Sequence, residues 1–176
     1  MVRSLVFDAT APDFAQQWQR LDWQLLQNSS VHRYGSDDEM ERTAAGLARL
    51  GYAIHHLDAG SWRSEDDMHT ALAAELNFPS YYGRNLDALN DVFSDVAEYC
   101  YGSDPSTTGT VLVLADYDSF TAHDSKSAHA LLEIFALNAR LGLLVGHPML
   151  CLISAKNDFP DVGSTPVLLS LAPVET

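Results

Sequence analysis

The chain has 176 residues, 47% of them hydrophobic, with 24 acids against 10 bases and a formal net charge of -14. That length is sufficient for a real core in one or at most two domains, and the apolar content excludes a disordered chain. The charge makes nucleic acid and anionic membranes poor partners and a basic protein a good one.

The two cysteines, Cys100 and Cys151, fit no metal spacing, and both are expected to be reduced and buried. Met1 to Asp8 lacks the apolar core and cleavage site of a signal peptide, and no window reaches the roughly 20 apolar residues of a membrane span. These features point to a cytoplasmic protein.

In chain order, Leu5 to Phe7 is a candidate short strand. Phe14, Trp18, Leu21 and Leu25 predict one helix from Pro12 to about Leu26. After the Asn28-Ser29-Ser30 turn, Val31 to Tyr34 reads as a short strand. Ser36 with Glu39 forms a capping box, and the helix behind it runs through Met40, Ala44 and Leu47 to a stop at Gly51. Tyr52 to Leu57 is a strand. Ser64 caps a helix with Met68, Leu72 and Leu76 inward, and Pro79 stops its continuation. A further helix spans 85–99. Gly102 to Gly109 is an exposed loop by composition.

Val111 to Ala115 and Met149 to Ser154 are continuous apolar runs, the pattern of strands covered on both faces. Between them, Asp124-Ser125 caps a helix to about Leu144. Val167 to Leu171 is a candidate last strand. Strands alternating with helices give an α/β fold on a parallel sheet.

The stretch Tyr81 to Asp91 stands out. On its helix, Asp87, Asp91, Asp95 and Glu98 fall within about 80° of one another at 3.6 residues per turn, opposite Leu86, Leu89, Phe93, Val96 and Ala97. Like charges at i, i+4 destabilise a helix by about 0.2–0.5 kcal/mol per pair. The ridge is either a solvated acidic face or a patch that fits a cationic partner.

Tyr81-Tyr82-Gly83, Asn85-Leu86-Asp87-Ala88-Leu89 and Asp91 resemble the barstar family of ribonuclease inhibitors, and the order of elements over about residues 50–155 matches as well. The resemblance implies a three-layer α/β fold, a three-stranded parallel sheet packed by helices. Residues 1–49 then form an N-terminal α/β extension, whose 31–50 unit can add a fourth strand beside Tyr52–Leu57, and 156–176 a tail. It also implies a protein that blocks the cationic active site of a secreted ribonuclease or ribonuclease toxin. Asp91 would mimic a substrate phosphate, with Asp87 beside it and Tyr81, Tyr82, Gly83, Asn85, Asn90 and Asp95 around them. Three departures accompany it: Asn90 and Val96 stand where the family pattern has tryptophans, Leu137 where it has a partner-facing glutamate, and the loop before Val111 is longer.

No metal, cofactor or catalytic residue is expected, and oligomeric state is left open. His55 and His56 point to opposite faces of a strand, which defeats chelation. Asp87 with Asp91 as an acid/base pair lacks an apolar pocket to separate their pKa values. A barstar-fold scaffold for another basic partner is the alternative.

Overall fold

The computed structural model describes residues 7–170. Four strands, β1 (Val31–Tyr34), β2 (Ala53–Asp58), β3 (Thr110–Ala115) and β4 (Met149–Ser154), form one parallel sheet in the order β1-β4-β3-β2. The sheet has four strands rather than three, and β1 is the added one. It pairs with β4 (Val31 opposite Cys151), not with β2; the two lie at opposite edges.

Seven α-helices follow in chain order among the described residues: α1 (Phe14–Gln17), α2 (Leu21–Leu26), α3 (Asp37–Arg49), α4 (Glu65–Glu75), α5 (Leu86–Ala97), α6 (Tyr117–His123) and α7 (Ser125–Leu144). Alternation along the strands divides the core. Val111, Val113, Leu150 and Leu152 face Leu25, Met40 and Leu47 of α2 and α3. Leu112, Leu114, Cys151 and Ile153 face the larger cluster of α4 to α7, with Met68, Leu72, Leu89, Phe93 and Phe135. Helices therefore cover both faces, which is why β3 and β4 carry unbroken apolar runs.

Local signals explain the boundaries. Ser36 accepts from Glu39 N at 3.3 Å and Ser64 from Asp67 N at 3.3 Å, each capping its helix. Gly51 takes φ +88° after α3, where its amide donates to Ala48 O and that of Tyr52 to Leu47 O.

Several sequence expectations change. The helix expected over 12–26 breaks into α1 and α2 because Arg20 is extended (ψ 139°). Its guanidinium holds the fully buried Asp22 at 2.8 Å, and Tyr52 donates its hydroxyl to Asp22 at 3.0 Å. A short helix, α6, precedes α7. Cys151 is buried, but Cys100 is exposed. Among the described residues near the C-terminus, only Leu169 bridges β1, at Arg33, where Ser170 N donates to Arg33 O at 2.7 Å. This contact covers part of an open sheet edge. The strand expected at Leu5 lies, but for Phe7, outside the described residues, as does Leu171.

Candidate functional site

The loop 79–84 leads from the end of α4 into α5, and internal contacts fix most of it. Tyr82 packs edge-on against Phe78, ring centroids 5.0 Å apart, and its hydroxyl lies 2.5 Å from Nδ1 of the buried His69. His69 Nε2 is 3.3 Å from Glu65 Oε1, and Ser127 donates to the other oxygen of Glu65 at 2.8 Å. With Nε2–H donating to the Glu65 carboxylate, Nδ1 is left to accept from the Tyr82 hydroxyl. Burial pushes the Tyr82 phenol up from its ordinary pKa. The chain Tyr82–His69–Glu65–Ser127 thus ties the loop to α4 and α7.

Gly83 sits in a tight space. A Cβ there would come within 3.3 Å of both Ala88 Cβ and Asn85 Nδ2. Arg84 adopts a left-handed φ of +50°, which sets its side chain back across α4. There it meets Asp66 at 2.8 Å and bonds the Thr70 hydroxyl. Asn85, expected at the rim of an interface, is the N-cap of α5: its Oδ1 accepts from Ala88 N at 2.8 Å.

The ridge divides into committed and uncommitted acids. Asp95 is half-buried and accepts from the Tyr101 hydroxyl. That bond above all, then burial and the nearby Tyr81, raises the pKa of Tyr101. Asp87, Asp91 and Glu98 are exposed, and among the described residues no side chain pairs with them. Leu89, Val92, Phe93, Val96 and Ala97 are buried beneath. Tyr81 projects beside the ridge, 79% exposed.

Asn90 faces sideways. Asn138 of α7 donates to its Oδ1 at 3.1 Å and to Ile134 O at 2.9 Å. The ridge, Tyr81 and the loop therefore share one surface, while Tyr82, Asn85, Asn90 and Asp95 act mainly to hold it. Sequence reasoning missed His69, Arg84, Tyr101 and Asn138. Of these only Arg84 left a signal, as a lone cation inside an acidic stretch.

His55 and His56 do lie on opposite faces, against Glu75 at 3.0 Å and Glu41 at 3.3 Å. No helix among the described residues is long and apolar enough to cross a membrane.

A family model described as Barstar (barnase inhibitor) matches residues 52–153. The match begins just before β2 and ends in β4. It contains all of Tyr81 to Asp91 and leaves β1 and α3 outside.

Proposed function

This chain belongs to the barstar family, and from that premise we propose that it is a protein inhibitor of a ribonuclease. Its target is a basic secreted ribonuclease or ribonuclease toxin, against which it serves as an immunity protein in the cytoplasm. A ribonuclease must hold RNA phosphates in a cleft of cationic side chains. A carboxylate on a rigid helix satisfies that cleft as a phosphate does, accepting the same charge-assisted hydrogen bonds.

Asp91 is the phosphate mimic and Asp87, one turn earlier, supports it. Tyr81 covers the rim of the cleft. The observation that carries this reading is that Asp87 and Asp91 are exposed and, among the described residues, unpartnered, on a helix whose other face is packed against the core. Two like charges kept a turn apart cost the free helix stability, and a cationic partner recovers it. The net charge of -14 speeds encounter with a basic protein.

The test is steady-state inhibition of a panel of secreted microbial ribonucleases at low salt. The expected result is tight inhibition of at least one, competitive with an RNA oligonucleotide and weakened as salt rises. Absence of inhibition across the panel, or inhibition that RNA does not relieve, would contradict the proposal.

A further inference from the structure

The acidic ridge has an apolar neighbour. α5 and α7 pack side by side: Asn90 meets Asn138, and at the end of α5 Ala97 O meets Nδ1 of His147, three residues beyond α7, at 2.9 Å. Outward from that seam, α7 presents Leu137, Leu141 and Leu144 at i, i+4 and i+7, so they share one face. Leu141 is half-buried, but Leu137 is 56% and Leu144 83% exposed, and Val145 beyond them is also exposed. Exposed leucines at helical spacing, on one side of a seam whose other side carries Asp87, Asp91 and Glu98, make a single two-toned surface.

We infer that these leucines are the second half of the binding surface, and that the partner's cationic cleft is flanked by an apolar wall rather than by a charged one. The inference rests on the ribonuclease reading above and specifies the partner's chemistry. Two arguments select this occupant. Contiguity is the first: a protein seated on Asp91 necessarily covers the ground next to Asn90 and Asn138, where Leu137 begins. Charge is the second. A second copy of this chain on the leucines would bring its own uncompensated acids against the first copy's, whereas a basic partner brings opposite charge. The leucines then supply the buried apolar centre that specific interfaces need, which acids alone do not provide.

The test uses the ribonuclease from the panel that the wild type inhibits most strongly, titrated by calorimetry at several salt concentrations. The variant Leu137→Ser/Leu144→Ser alters two exposed side chains, and its unfolding midpoint checks that it remains folded. We expect at least about a tenfold loss of affinity with an unchanged salt slope, since apolar burial is not screened. Asp91→Ala should lower affinity and flatten the slope. Full affinity in the leucine variant, with wild type binding, would overturn this inference and leave the ribonuclease reading intact. If no ribonuclease binds the wild type, both fall. Sedimentation velocity supplies the other decision: a monomeric chain is expected, and a dimer abolished by the leucine variant would overturn the assignment.

Discussion

α4 and α5 both carry acids in or near their first turns, and the two helices use them in opposite ways. On α4, Glu65 holds Ser127 and His69, Asp66 holds Arg84, and Asp67 accepts from Arg63 N at 2.8 Å. Every one of these carboxylates is an internal tie. On α5, one loop later, Asp87 and Asp91 have no such task among the described residues. The residue type and helical context are the same, so the difference lies in what each helix leaves uncovered. Acids that hold the fold turn toward neighbouring elements; Asp87 and Asp91 stand on a face that no described neighbour occupies. α4 in this sense prepares the loop that α5 presents.

That contrast makes unequal demands on stability. His69→Ala removes the buried link between Tyr82 and Glu65 and leaves a cavity. It should lower unfolding free energy by about 2–4 kcal/mol in urea titration. Asp124 caps α7 by accepting from Ser127 N at 3.0 Å, and Asp124→Ala should cost about 1 kcal/mol. Hydrogen bonds from Ser127 hold its carboxyl below the ordinary 3.8. A carboxyl whose pKa is lower folded than unfolded stabilises at neutral pH, and the contribution fades as pH falls through the carboxylate range. Acid titration of the variant should therefore show a shallower decline there than wild type.

Asn90→Ala loses one of the two bonds of Asn138 and should cost under about 1 kcal/mol, since Ile134 O still accepts. Asp87→Asn should lie at the bottom of the scale. It relieves like-charge repulsion with Asp91 worth about 0.2–0.5 kcal/mol, offset by a weaker helix-terminal interaction. A large loss of stability in Asp87→Asn would erase the distinction between the two helices.

Much of this was legible from local chemistry. Ser36, Ser64 and Asp124 stand before the helices they start, and the runs at 111–115 and 149–154 had only one comfortable environment, a covered parallel strand. What was hidden depends on residues far apart in the chain. Nothing near Val31 says that it pairs with Cys151 rather than with β2, because parallel order is set by how helices cover the faces. The break before Leu21 comes from Asp22 reaching Tyr52. Asn90 looked like a plain exposed substitute for an aromatic until α7 brought Asn138 against it. The acidic ridge itself was visible as periodicity, but not which acids were free. Tyr101, beyond the helix end, decides the state of Asp95.

The central claim is that Asp91 contributes its charge to a partner and little to its own fold. The direct measurement is calorimetric affinity and thermal unfolding on one preparation of Asp91→Asn, against a ribonuclease the wild type inhibits. Affinity should fall on the order of a hundredfold, as for a buried charge pair losing one member, with unfolding free energy within about 0.5 kcal/mol of wild type. Unchanged affinity, or a loss that merely follows destabilisation of the fold, would contradict the account.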